Sequence, residues 1–325
     1  MSNSIKNVID HVGSYQLSHV AKTPPQFDRT TPRWLTKVLD WKSLDSGVFR
    51  LNKVKEGASA LHGLTSEDDN TSHVDALSTR YEKAGILKSY ADISPEVREY
   101  ILDDISTVLP ISTKIIDIFS QPYDQVQQQI RIVMEGLEEQ QEDHLINSPD
   151  YGLLNNIADS QRVTSISGSP TPDDFDELLS KVWIQPSFFL AHPRAIAAFG
   201  RECTRRGVPP VTMQYEGSPF LTWRGVPIFP SNKLLVDGEK NPLGKGGKTN
   251  ILLVRTGENK RGVIGLNQAN LQGEQSRGLS VRFMGIDNHG IASYLLSIYC
   301  SAAILADDAI AVLEDVNVGN YYDYS

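Results

Sequence analysis

A disulfide framework is excluded at the outset. The chain of 325 residues has two cysteines, Cys203 and Cys300, far apart and without CxxC spacing. Such sparing use fits a reducing compartment, and the cytoplasm is the expected location. Long apolar runs are also missing. The longest uncharged stretch, from Ile291 to Ala306, carries Ser293, Ser297 and Ser301 with two tyrosines, too short for a membrane span and suited to a buried strand. The opening residues, MSNSIKNVID, lack the apolar core of a secretory signal. Basic charge is in deficit: 31 Lys and Arg stand against 40 Asp and Glu, a net −9, which argues against nucleic acid as the main partner.

Catalytic signatures are absent too. There is no GxSxG elbow, and His11, His19, His62, His73 and His289 have no metal-ligand spacing. The stretch NPLGKGGKTN (241–250) approaches a phosphate loop, but the position that needs the first glycine is Pro242. ILLVRT follows it, where a phosphate loop requires a helix N-terminus, so a basic loop is the better reading. Cys203, beside Arg201, Arg205 and Arg206 and downstream of His192, is the one candidate nucleophile. Eleven residues along one helix put His192 about three turns away, which favours a small buried side chain.

What the sequence does contain is a long amphipathic segment. Val126, Ile130, Val133, Leu137 and Leu145 recur at three- and four-residue steps, and Asp124 with Gln127 makes a capping box. The spacing predicts a helix over 124–146, about 33 Å long, stopped by Asn147-Ser148-Pro149. Its other side carries Asp124, Glu135, Glu138, Glu139, Glu142 and Asp143 against Arg131. Gln141 stands where a Glu-x-x-His metal site would need glutamate, so a solvated acidic face is expected.

Around this helix the chain is uneven. Residues 3–12 suggest a short helix, and AKTPPQFDRTTPR, with Pro24, Pro25, Phe27 and Pro32, reads as an extended arm. Trp34, Leu35, Val38, Leu39 and Trp41 form an apolar patch that must dock, either on a neighbouring subunit or on its own domain. Residues 47–79 are polar and loose, a long excursion. SPEVREYILDDI predicts a helix with Ser94 as N-cap and Pro95 at its first position, and Thr113 to Phe119 is a short apolar segment. Further on, strands are expected at 162–167, 187–191, 251–256, 277–286 and 291–305, and in a hairpin turning at Gly225. Helices are expected from Pro172 to about Val182 and from Pro193 to before Gly207, and at most a turn or two of helix at ADDAIA (306–311). This order is α+β rather than a regular βαβ alternation.

Taken together, several segments carry a family resemblance: the arm leading into TPRWLTKVLDW and SGVFRLNKV; LEEQQEDHLINSPDYGLLNN; DDFDELLSKVWIQPSFFLAHPRAIAAF; WRGVPIFPSNKL; and VRFMGIDNHGIASYLLSIYCSAAILADDAIAVLE. In their order and spacing, over nearly the whole chain, they resemble the family 2 encapsulins, which include the mycobacterial major membrane protein I antigens. The resemblance implies a tailed-phage major-capsid-like fold. It would comprise an N-terminal arm (1–45), an extended loop (46–80), a peripheral domain (81–184) with the spine helix 124–146, an axial domain (185–270), and return strands with a C-terminal tail (271–325). It implies that Pro24, Pro25, Phe27, Trp34, Leu35 and Trp41 form an inter-subunit arm. By position it places Arg205, Arg206, Gly207, Val208, Pro209 and Pro210 at a pore loop, where the arginines either favour anions or are tied to neighbouring carboxylates.

Some family 2 members carry an inserted cyclic-nucleotide-binding domain, for which this chain has no room. The insertion-free branch resembles shells that enclose a cysteine desulfurase and serve sulfur metabolism or storage. The implied function is therefore a non-enzymatic icosahedral shell subunit whose partners are copies of itself and that cargo. It needs no cofactor of its own; pyridoxal phosphate would belong to the cargo. A phage or prophage capsid subunit, or an enzyme using Cys203, are the rival readings.

Overall fold

Cross-strand pairing decides where the strands of this protein lie, even where the local sequence suggests a helix. A computed structural model describes residues 12, 15, 33–54, 61–63, 89–91, 93–112, 125–236 and 246–321. The chain divides into a larger unit (1–47 with 102–325) and a smaller one (48–101). The larger unit opens with α1 (Trp34–Val38) and β1 (Asp40–Leu44). The smaller unit holds β2 (Val48–Val54), β3 (Leu61–Gly63), β4 (Ser89–Ala91) and β5 (Ile93–Ile101). The larger unit resumes with β6 (Asp103–Ser112), α2 (Gln125–Asn147), β7 (Arg162–Thr164), α3 (Pro172–Lys181), β8 (Phe188–Ala191) and α4 (Pro193–Arg205). Then come β9 (Val211–Tyr215), β10 (Ser218–Trp223), β11 (Val226–Pro230), β12 (Lys248–Val254) and β13 (Val263–Gln268). The order closes with β14 (Glu274–Ser276), β15 (Leu279–Ile286), β16 (Ile291–Ile304) and β17 (Ile310–Asn317).

Helix α2 matches the periodicity of the sequence at both ends; its expected cap, Asp124, lies outside the described residues. Its termination has a local cause. Leu153 and Leu154 turn back and donate their N–H groups to Leu145 O and Ile146 O, at 2.9 and 3.1 Å. The Asn155 side chain donates to Asn147 O and Ser148 O, both at 3.0 Å, so the carbonyls a helix end leaves unmatched are satisfied. Only glycine fits at position 152, where a Cβ would lie 2.3 Å from Ser148 O. The NSPDYGLLNN run is thus one folded device.

Two sheets carry the larger unit. In the first, β16 pairs antiparallel with β6, β13 and β15, while β1 adds parallel to β13 and β14 pairs with β15. Helix α2 packs on one face of this sheet, where Leu137 meets Ile105, Leu279, Leu296 and Ile298. The second sheet runs β7-β17-β12-β8-β11-β10-β9. Both faces of its centre are buried, which explains its continuous apolar runs. Phe188, Leu190, Leu252, Val254, Ile310 and Val312 face a core shared with α1 and the end of α2. The residues between them, Phe189, Ala191, Ile251, Leu253, Ala311 and Leu313, face Phe175 of α3 and Phe199 of α4.

Several expectations are corrected here. SPEVREYILDDI is not helical: β5 pairs antiparallel with β2 from Val48↔Ile101 to Val54↔Ile93, and β6 pairs with β16 along its whole length. Pairing with β2 outweighs the Ser-Pro helix start in β5, and β6 alternates strictly, with Ile105 and Ile111 buried and Asp104, Ser106, Val108 and Pro110 exposed. β2 and β5 both belong to the smaller unit, 48–101. Its ends are tied by a hydrogen bond from Leu102 N to Gly47 O at 3.0 Å. ADDAIA holds a single 3-10 turn (Asp307–Ala309) before β17, a strand hidden by its acidic flank. Of the suggested helix at 3–12 only Val12 is described, and it is helical; the segment 113–119 lies outside the described residues.

Candidate functional site

The apolar patch after the arm docks on its own chain. Trp34 is 5% exposed and Leu35 is fully buried. The Trp34 ring stacks on Phe229 at 5.4 Å and meets Phe220 and Tyr215 edge-on at 4.9 and 6.0 Å. Trp41 is half-buried, and its Nε1 donates to Thr36 O at 2.8 Å, closing α1 onto β1. Of the residues expected in an inter-subunit arm, Trp34 and Leu35 are buried in the core of their own chain. Pro24, Pro25 and Phe27 lie outside the described residues.

The acidic side of α2 is not the solvated face its composition suggests. Glu138 pairs with Arg33 at 2.6 Å, and Glu139 pairs with Lys233 in the segment after β11. Glu142 is completely buried, and its Oε1 accepts the Leu35 N–H at 3.2 Å. Burial pushes its carboxyl up to about 7; Glu139 adds to the rise, while the Leu35 N–H, Lys233 and Arg33 oppose it. The spine helix holds the arm's anchor through its carboxylates. Sequence reasoning missed this because alternating helical faces assign Glu142 to the outside. The available signal was its place one turn before the adjacent pair Leu145-Ile146, both fully buried.

The expected tip follows α4. His192 caps the helix, Nδ1 accepting the Arg194 N–H at 3.1 Å, and burial draws the imidazole below its ordinary range with help from Arg194. The buried Glu202 carboxylate accepts from Arg205 and Arg206, each at 2.7 Å, and from Asn320 Nδ2 at 3.3 Å. Both arginines are therefore tied to a carboxylate of their own helix. Gly207, at φ +69, takes the left-handed turn that lets Val208 N donate to Cys203 O at 3.0 Å. Gly207, Val208 and Pro209 stand exposed, with β9 beyond them as the exposed edge of its sheet.

The remaining chemistry is quiet. Cys203 is buried; burial pushes its thiol up to about 11, Arg206 opposing the rise and Glu202 adding to it. Its surroundings are those of a core side chain, and His192 is occupied as a cap. Cys300 is likewise buried and pushed up to about 12 by burial. Lys248 and Thr249 lie in β12, so the phosphate-loop pattern has no helix behind it; residues 241–245 of that loop lie outside the described residues. Among the described residues no cluster of His, Cys, Asp and Glu fits a metal ion, and no helix is long and apolar enough to cross a membrane. One buried pair went unforeseen. Arg255, which directly follows β12, is 2% exposed and forks onto Asp308, Nη2 to Oδ1 at 2.6 Å and Nη1 to Oδ2 at 3.1 Å. Its only sequence signal is a lone arginine closing an apolar strand.

Comparisons agree with this geometry. A family model described as "Type 2A encapsulin shell protein SrpI-like" matches residues 61–320. The chain is 48% identical over 322 residues to the type 2A encapsulin shell protein SrpI of Synechococcus elongatus, covering 99% of this chain and 98% of that one. It is 45% identical over 313 residues to a type 2A encapsulin shell protein of Mycolicibacterium paratuberculosis, covering 95% and 94%. The holo-SrpI encapsulin complex from Synechococcus elongatus superposes with a TM-score of 0.77 at 47% identity, covering 98% and 99%. The capsid of a native GTA particle shares the fold alone, with a TM-score of 0.54 at 11% identity over 93% and 98%. The fold is the α+β fold of tailed-phage capsid proteins.

Proposed function

Because the chain belongs to the SrpI-like type 2A encapsulin shell proteins, we propose that copies of it close into an icosahedral compartment in the cytoplasm that encloses a cysteine desulfurase and serves sulfur metabolism or storage. The observation that carries the assembly is the smaller unit. Its β2–β5 ribbon has two strands and leaves Val97 and Ile101 49% and 65% exposed. Two-stranded ribbons are marginal alone in water, and burial of such residues on a second copy of the chain stabilises them. The larger unit also leaves Trp183, Phe283, Met284 and Ile286 exposed, surface that further copies of the chain would cover.

In this reading the subunit contributes no catalysis, and pyridoxal phosphate enters only with the cargo. The exposed tip at Gly207–Pro209 rims a pore at a symmetry axis. Arg205 and Arg206 shape that rim through Glu202 rather than as free cations, which weakens any pull on anions. Support for the desulfurase comes from family resemblance, so the test addresses the cargo directly. The chain is co-expressed with the cysteine desulfurase of its own source, and particles are isolated by sedimentation. The expected result is desulfurase co-sedimenting with the shell, protected from added protease, and carrying the absorbance of pyridoxal phosphate. Intact particles that leave all the desulfurase in the supernatant contradict the cargo assignment while leaving the shell assignment standing.

A further inference from the structure

Three carboxylates of the described residues are buried: Asp174, Glu202 and Glu142. Asp174 spends both oxygens in the capping box of α3, accepting from Ile166 N, Thr171 N and Thr171 Oγ1. Glu202 spends both on Arg205 and Arg206. Glu142 differs. Oε1 accepts the Leu35 N–H, but Oε2 is buried with no hydrogen-bond partner, and so is Oε1 of Glu139 one turn earlier. The charged groups facing it are Arg33 from the anchor, Lys233 from the segment after β11, and Glu139 on its own helix. Both cations already have carboxylate partners, Glu138 and Glu139. The Glu142 and Glu139 carboxylates thus each hold a buried oxygen that no donor reaches, and a proton on Glu142 Oε2 would turn one of those acceptors into a donor.

We infer that Glu142 is a proton-operated latch on the N-terminal anchor: a protonated carboxyl seats Leu35 and Trp34 against the spine helix, and loss of the proton loosens them. The latch belongs to the chain's own anchor and holds or fails whatever the shell encloses. Its direction follows from the balance of burial against pairing. Burial outweighs Arg33, Lys233 and the Leu35 N–H, so the docked carboxyl titrates near 7 and the undocked one near 4.5. The docked state therefore binds the proton more tightly. Docking from this group is strongest below about pH 4.5, weakens as pH rises from there to about 7, and is level above it. The docked-to-open ratio falls by at most about tenfold per pH unit across that window. The arm's hold on the body thus responds within the neutral range.

The test is amide exchange of the full-length protein, read by mass spectrometry on the peptide spanning residues 33–39 between pH 5 and 8. Each rate is divided by the intrinsic rate at that pH, and a peptide over 251–254 serves as the core control. The expected result is protection at 33–39 that falls at least tenfold with rising pH while the control stays level. In Glu142→Gln, which keeps an acceptor for Leu35 but cannot ionise, the profile is flat. In Glu139→Gln the midpoint moves to lower pH, because a like charge is gone; this variant serves if Glu142→Gln does not fold. A flat wild-type profile, an equal fall in Glu142→Gln, an unmoved midpoint in Glu139→Gln, or a parallel fall in the control each overturns the latch.

Discussion

Trp34→Ala lowers the stability of the larger unit by about 3–5 kcal/mol, the cost of emptying a large aromatic site that cannot collapse. The cage of Phe229, Phe220 and Tyr215 is built from β9, β10 and β11, which pair with one another and cannot close on the void. Domains are commonly stable by only about 5–15 kcal/mol, so the loss takes a large part of the margin. Heat denaturation reads it as a midpoint about 10 °C lower. Trp34→Phe keeps part of the ring contacts and recovers part of the loss. A midpoint within a degree or two of wild type for Trp34→Ala means that the anchor does not dock on its own body.

The second large effect comes from Asp308. Asp308→Ala leaves the Arg255 guanidinium buried without its partner, and breaking a pair in this way costs about 3–5 kcal/mol. Arg255 already has an unmatched Nε and only the carbonyls of Ile184 and Arg261, at 3.3 and 3.5 Å, to fall back on. Arg255→Met behaves differently, because it removes the buried charge and leaves Asp308, 26% exposed at its side chain, within reach of water. Its cost stays below about 2 kcal/mol, and the double variant lies closer to Arg255→Met than to Asp308→Ala. Urea titration of the three variants checks the order. Equal losses for both single variants contradict the asymmetry.

How much of this was legible in the residues varies by element, and the reason is physical. Helix α2 could be read to within a residue because its apolar period is long and its stop is chemical, in Ser148-Pro149 and Gly152. The buried strand at Phe188–Ala191 and the hairpin at Gly225 were equally plain. β5 was not: Val97, Tyr100 and Ile101 sit at helical spacing behind a Ser-Pro start, and only pairing with β2, some forty-five residues away in sequence, makes the segment extended. β17 was masked by Asp307 and Asp308 in front of it, the second of which is there for Arg255. The candidate site shows the same division. That the 34–41 patch docks followed from its composition, but its receptor is assembled from β9, β10 and β11 and is invisible locally. The tie of Arg205 and Arg206 to Glu202 was accessible from i,i+3 and i,i+4 spacing, whereas the burial of Glu142 depends on Leu35, more than a hundred residues earlier, meeting it.

Other copies of the same chain complete the smaller unit in the proposed shell. Electron microscopy of the purified full-length protein at neutral pH tests this most directly. The expected result is closed hollow particles with five-, three- and twofold axes, in which the 48–101 ribbon of each subunit lies on a neighbour. A monodisperse single chain, with Val97 and Ile101 still open to solvent and no larger species at any concentration, would contradict it.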